Sequence, residues 1–450
     1  MQKTALTTAA ALALATFGAG TAFAQSSLTL YGNADVSVDH VKKTAGVPLA
    51  VAVIPPAFGG GTQTLGQGKD SSTTRVSPSG SSQTSFGFKG EENLGDGYKA
   101  SFVLEGQLSH DTGALAQDGR IFGRQSYVGL TTPFGEVRLG RQYAPIFYST
   151  AFVTGERFGV TDLFIEGGAT NNLIIRQDNQ ISYWLKAGGF TGSLAYSPNA
   201  GSYGEVNARR ATTTTPASAA NGGILGAIGA GAESPKKFGR SIGFFGNYAF
   251  DSALNATFGY HRNDFDGAKY GSYDPVNNSY VPSSWALDKY QAYNFGVKYV
   301  FPSSGIMLDG AFAQGRYDIE NSDANLKVQF LAAGIRVPVN QWTFSGQVSQ
   351  IKFKNFTKGK DTGLMLGAEY SLSKRTTLYA RAVQIRDDEG DLADAGFRVG
   401  PGSALTANVQ GGPDVIATAL GLRETPVFAG AGINPGGKTT YIGAGVRHSF

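Results

Sequence analysis

Cysteine is absent from all 450 residues. That excludes a disulfide framework, a thiol nucleophile and any cysteine-ligated metal. Charge is scarce too: Asp, Glu, Lys and Arg make up 16% of the chain, and the formal net charge is only +4. A nucleic-acid surface needs a dense basic face, which so small an excess does not supply. The four histidines, His40, His110, His261 and His448, stand apart with no ligand spacing, so neither a metal nor another cofactor is expected. Past the first two dozen residues, no apolar run reaches the ~18 residues of a membrane helix. Only helices and closed barrels satisfy every backbone group in lipid, so the chain is either soluble or a transmembrane barrel.

What is present is glycine, 63 residues of it, and aromatics at 12%. With so low a net charge, that composition belongs to a folded chain. The N-terminus carries Lys3, then an apolar run from Ala5 to Phe17, then Ala22-Phe23-Ala24 before Gln25. This order predicts a secretory signal peptide over residues 1–24 and a single β-domain over 25–450.

The rest reads as short segments of period two. Trp342, Phe344 and Val348 alternate with Thr343, Ser345 and Gln347. Tyr293, Phe295, Val297, Tyr299 and Phe301 share a face opposite Asn294, Gly296 and Lys298. Near the C-terminus, Ile442, Ala444, Val446 and Phe450 oppose Tyr441, Gly443, Gly445 and Arg447. The second face is small, polar or charged, as a watery lumen requires. Tyr98, Trp342, Tyr379 and Tyr441 lie near strand ends and are candidates for interfacial aromatic girdles.

Seven tight turns punctuate the chain: Asn93–Asp96, Pro133–Gly135, Gly188–Gly189, Asp251–Ala253, Pro302–Ser304, Pro338–Asn340 and Ser373–Arg375. Longer stretches alternate strictly with them: Thr44–Ser81, Ser109–Phe122, Tyr143–Asp178, Pro198–Arg240, Asn263–Asp288, Asp318–Leu326, Asn355–Thr362 and Asp387–Gly437. Such parity predicts an all-β fold, a sixteen-stranded antiparallel transmembrane barrel with short periplasmic turns and long outer loops.

Three stretches resemble the general diffusion porins, trimeric proteins of the bacterial outer membrane, in their Burkholderia–Bordetella type. They are Leu28-Thr29-Leu30-Tyr31-Gly32-Asn33-Ala34-Asp35, then Phe86-Gly87-Phe88-Lys89-Gly90-Glu91-Glu92-Asn93-Leu94-Gly95, then Gly123-Arg124-Gln125-Ser126-Tyr127-Val128-Gly129-Leu130 with Arg138-Leu139-Gly140-Arg141-Gln142-Tyr143 after it. The chain also ends in Phe450, as those porins usually do. The resemblance implies a homotrimer in outer-membrane lipid, passing small hydrophilic solutes and ions without a chemical step.

It also implies that the third loop folds into the lumen. Gly159-Val160-Thr161-Asp162-Leu163-Phe164-Ile165-Glu166-Gly167-Gly168 resembles the constriction segment of that loop. Asp162 and Glu166 match its two acids, and Arg124 and Arg141 match two wall arginines. Facing charges of this kind set up a transverse field that orients dipolar solutes and sorts ions. Two positions depart from the pattern: Ser85 where a third wall arginine is frequent, and Asn33 where some relatives have lysine. Arg75, Arg157, Arg176 and Arg381 are candidates to make up the basic half. Parity poses a problem, because Val128 and Leu130 share the face of Arg124, and Val137 and Leu139 that of Arg141. Either a bulge re-aims the arginines or these strands line a contact between copies.

Other functions stay open at this point. A barrel enzyme needs a nucleophile beside a base, and no motif joins the serines to the four histidines. A substrate-specific channel for sugars or organic anions calls for a specialised lumen, whereas the lumen faces here look small and polar.

Overall fold

In an extended chain, alternating apolar and polar side chains separate to the two sides of the pleat. A closed ring of such strands turns one set toward lipid and the other toward a lumen. The computed structural model describes residues 26–45, 50–54, 61–65, 69–78, 80–115, 120–153, 175–198, 223–224, 240–274, 279–319, 325–355, 359–389, 410–411, 427–428, 431–432 and 436–450. The expected signal peptide, 1–24, lies outside them.

Sixteen strands form one closed antiparallel barrel. They are β1 (Ser26–Lys43), β2 (in two segments, Ser71–Pro78 and Ser85–Gly95), β3 (Tyr98–Gly106), β4 (Gln125–Thr132), β5 (Gly135–Tyr143), β6 (Arg176–Ala187), β7 (Phe190–Ser197) and β8 (Ser241–Ala249). Then follow β9 (Leu254–Asp274), β10 (Ser279–Val300), β11 (Met307–Ile319), β12 (Asn325–Val339), β13 (Trp342–Asn355), β14 (Gly359–Ser371), β15 (Thr376–Glu389) and β16 (Lys438–Ser449). Each strand pairs with its sequence neighbours. Closure comes from β1 against β16, from Asn33 opposite Ser449 to Lys43 opposite Thr439. Phe450 completes the seam by exchanging two backbone hydrogen bonds with Gly32, at 3.1 and 3.2 Å. A Cβ on Gly32 would sit 2.4 Å from the Phe450 ring, so only glycine fits beneath it.

The two faces sort as expected. Phe295 and Val297 are each half exposed on the outside, while Asn294 beside them and lumen-facing Gln347 are buried. All seven tight turns are present. Left-handed residues carry several of them: Gly95, Asp96 and Gly97 in the first, Gly188 in the third and Asn340 in the sixth. At this end an outward collar includes Phe134, Tyr248, Phe250, Tyr299, Phe301, Trp342 and Phe344. Tyr248 with Phe250, and Tyr299 with Phe301, meet edge to face at 4.9 Å.

Three expectations need correction. Tyr379 and Tyr441 are not in a girdle: both are buried on the polar face, where a hydroxyl can reach a partner. The expected loop Asn263–Asp288 is mostly strand, since β9 and β10 run for 21 and 22 residues. About 9–11 residues cross a bilayer, so this hairpin rises well past the membrane. The stretch Thr44–Ser81 ends early, with β2 beginning at Ser71, and it holds a short hairpin of Ala50–Ile54 with Gly61–Leu65.

After β5 comes a helix that the alternating pattern did not announce, α1 (Pro145–Val153). Proline at its first position fits, because that amide has no intrahelical partner. It lies against the polar faces of β9 and β10. Thr257 donates to the Ser149 carbonyl at 2.8 Å, and Asn294 to the Ile146 carbonyl at 3.1 Å.

Candidate functional site

The polar face carries one cluster of charges at the long-loop ends of β3 to β6. Arg124 stands just before β4, with its backbone amide bonded to the Glu105 carbonyl at 3.0 Å. Its guanidinium fans out to three strands. Nε meets Glu105, Nη1 reaches the Gln83 side chain at 2.5 Å, and Nη2 reaches the Tyr143 hydroxyl at 2.7 Å. Glu105 also accepts from Tyr31 at 2.8 Å.

Arg141 is buried. Its Nε donates to the Gly123 carbonyl at 2.7 Å, and Nη1 pairs with Asp178. Arg120 pairs with the other Asp178 oxygen at 3.2 Å. Arg176 lies 4.7 Å over the Tyr143 ring and donates to its hydroxyl at 3.2 Å. Four guanidinium groups thus assemble with the carboxylates of Glu105 and Asp178, and Tyr143 sits between Arg124 and Arg176. Charge-assisted hydrogen bonds of this kind hold each planar guanidinium in one orientation.

The parity problem resolves locally. Arg124 precedes its strand and so escapes the β4 alternation. For Arg141, the register with β6 slips between Gly140 and Gln142, where two steps on β5 face three on β6. Gly140 has φ +131° and Asn179 has φ +54°. Val137 and Leu139 stay exposed outside, and the bulge turns Arg141 inward.

A second inward feature went unforeseen. Between Asn33 and Val36 the β1 pairing passes only two residues, whereas β2 spends residues 79–84. Residues 80–84 bend toward the lumen around the buried Asp35 carboxylate. It accepts the amides of Gly80, Ser81 and Ser82 at 3.1, 3.0 and 2.6 Å, and also the Tyr379 hydroxyl. From this bulge Gln83 meets Arg124. On its other side the Ser81 hydroxyl meets Arg447 at 2.8 Å and Glu369 at 3.3 Å. Glu369 in turn pairs with Arg336, Arg381 and Arg447 at 3.2 to 3.4 Å. Asn33 is next to the bulge, bonded to Ser82 and to the Gln83 carbonyl, and it faces Ser85 in the register.

Arg124 and Arg141 are therefore brought together on one wall. Asp162 and Glu166 lie outside the described residues, as does Arg157. Of the arginines proposed to compensate for Ser85 and Asn33, Arg176 joins the cluster, Arg75 pairs with Asp39 at 2.7 Å, and Arg381 belongs to the Glu369 group. Glu105, Asp178, Arg120 and Gln83 were missed. Each sits on a polar strand face or bend like dozens of others, and only the closed ring brings them into contact.

A model of the Gram-negative porin family matches residues 8–390. Outer membrane porin protein 32 of Delftia acidovorans is 28% identical, over 98% of this chain and 99% of its own. An outer membrane porin protein of Bordetella pertussis is 35% identical across 25% of this chain and 30% of its own. Among solved structures, the anion-selective porin from Comamonas acidovorans superposes with a TM-score of 0.61 at 24% identity, covering 95% of this chain and all of that one. The trimer form of OmpT from Vibrio cholerae gives 0.56 at 12% identity, covering 94% and 99%. At these identities the structural likeness speaks to the fold.

Proposed function

Because the chain belongs to the Gram-negative porin family, whose barrels sit in the outer membrane, we propose that it is a general diffusion channel, trimeric, through which small hydrophilic solutes and ions pass down their gradients. The observation that carries this is the sorting of faces: apolar side chains outside, and a buried polar and charged lining inside.

Selectivity comes from the arginine wall. Its hydrogen bonds fix the guanidinium groups, so their field is preorganised and requires no reorganisation as an ion passes. The third loop enters the lumen behind α1, whose contacts with Asn294 and Thr257 support that course. Asp162 and Glu166 then face Arg124 and Arg141 across the narrowest section. Ions of either sign pass, with a weak preference for anions. A narrower reading, a channel specialised for organic anions, is favoured by one feature, the gathering of Arg120, Arg124, Arg141 and Arg176 on one wall. Competition between small carboxylates and chloride for single-channel current separates the two. General diffusion predicts additive currents, and a specialised site predicts block at millimolar carboxylate.

A further inference from the structure

Aromatic rings are unusual on a face turned to water, yet several gather there beside the arginine wall. On β6 the exposed Tyr183 and Leu185 turn outward, so Trp184 between them turns to the lumen. On β8 Phe244 is exposed outside and Phe245 is buried inside. The first turn of α1 brings Phe147 and Tyr148 to the same wall. Tyr148 meets Trp184 edge to face at 4.8 Å and lies 5.7 Å from Phe245. It also meets Tyr143 edge to face at 5.8 Å. Phe147 stacks on Tyr143 at 4.4 Å, with the planes 9° apart. A continuous run of rings thus leads from Trp184 to Tyr143, whose hydroxyl accepts from Arg124 at 2.7 Å and from Arg176 at 3.2 Å.

Trp184 is the fixed end of that run. Its indole Nε1 donates to the Ser182 hydroxyl at 3.1 Å, Arg138 lies 4.5 Å over its ring, and Phe245 meets it at 5.6 Å. Arg138 is itself tied to Glu136 at 2.7 Å. The bonds from Asn294 and Thr257 hold the backbone of α1 to β9 and β10. They do not reach Tyr143, which precedes the helix and ends β5. Its backbone is set by the sheet, and its ring by Phe147 and Tyr148. Aromatic pairs favour offset-stacked or edge-to-face contact over other arrangements, so a ring displaced at one end of the run displaces its neighbours.

We infer that Trp184 is a positioning residue for the arginine wall. Uncharged, and eight residues along β6 from Arg176, it holds Tyr148 and Phe147 in place. Through them it holds the Tyr143 hydroxyl that orients Arg124 and Arg176. Its effect on ion selectivity rests on the channel reading above; its effect on the guanidinium groups does not.

The test uses the full-length protein, refolded in detergent and then inserted in planar bilayers. Trp184→Leu removes the indole and keeps an apolar side chain. Trp184→Phe keeps a ring for Tyr148, and Trp342→Leu, in the outer collar, is the control. The arginine reagent phenylglyoxal reads the wall without any current, by mass spectrometry of the modified residues. Loss of one aromatic pair shifts an equilibrium by about 2- to 12-fold, and in Trp184→Leu both Arg124 and Arg176 should react faster by that order. Trp184→Phe and Trp342→Leu should stay near the wild-type rates. Arg381, buried in the Glu369 group, should keep its rate in every variant.

In a salt gradient, the reversal potential of Trp184→Leu should move away from anions although no charge has changed. Tyr143→Phe should shift it the same way. The two substitutions together should shift it no further than Tyr143→Phe alone, since both act through one hydroxyl. Unchanged reactivity of Arg124 and Arg176 in Trp184→Leu would overturn the proposal. So would an equal quickening at Arg381, which marks general loosening, or additive shifts in the double variant. A wild type without conductance steps would remove the channel reading and leave the reactivity comparison to decide. Should Trp184→Leu fail to refold, Tyr148→Leu breaks the same run one ring further on and carries the same comparison.

Discussion

At the scale of single residues, the proposed filter depends on a backbone detail. Gly140 holds φ +131°, and a Cβ there would come 2.2 Å from the Ser126 carbonyl oxygen. Gly140→Ala should therefore disturb the bulge that turns Arg141 inward, at a cost of about 1–3 kcal/mol for a strained position. We expect a lower urea midpoint for detergent-refolded protein and a weaker anion preference by reversal potential; wild-type values for both would remove this bulge from the account. The loop acids give a second prediction. With Asp162→Asn and Glu166→Gln together, only the wall arginines would bear on the narrow section, and the reversal potential in a salt gradient should move toward anions. An unchanged potential would place both acids away from the pore. Arg124 and Arg141 were legible because they stand in motifs. Their partners Glu105 and Asp178 were not, because a carboxylate on a lumen face has no local signature until the ring closes and apposes it to a base.

At the scale of elements, the break in β2 is the least expected feature. Asp35 gathers three amides and a tyrosine hydroxyl, and so shapes the bend that supports Gln83 against Arg124. Asp35→Asn retains one acceptor oxygen but adds a donor facing donors. Burying such a mismatch costs about 1–3 kcal/mol. It should release residues 80–84, lower the refolding midpoint and add current noise to open channels. Quiet channels of wild-type conductance would mean that the bend holds without its carboxylate. Turns and parity were readable, since tight antiparallel connections demand Gly, Asn, Asp and Pro. The strand extension beyond the membrane was not. Residues 263–288 are rich in Gly, Asp, Ser and Asn, and above the lipid no apolar face is required to mark a strand. Tyr379 and Tyr441 misled for a related reason, because nearness to a strand end suggests a girdle while alternation decides the face.

At the scale of the whole molecule, closure is what turns sixteen weak patterns into a pore. No single strand carries enough alternation to be diagnostic, but strict short–long parity does, because an antiparallel ring puts alternate connections at opposite ends. The same ring leaves Leu28, Leu30, Val128 and Leu139 exposed on the outside of β1, β4 and β5, a surface suited to lipid or to a second copy. As a trimer, the protein should run on a denaturing gel as a high-mass band when unheated and collapse to the monomer on boiling. An unheated sample at monomer mass would contradict trimerisation.

The most direct measurement of the central claim is single-channel recording of the purified protein in a planar bilayer. Stepwise, ohmic openings should appear on incorporation, with a reversal potential in a salt gradient that shows a weak preference for anions. A bilayer that acquires the protein and shows no discrete conductance steps would contradict the channel itself.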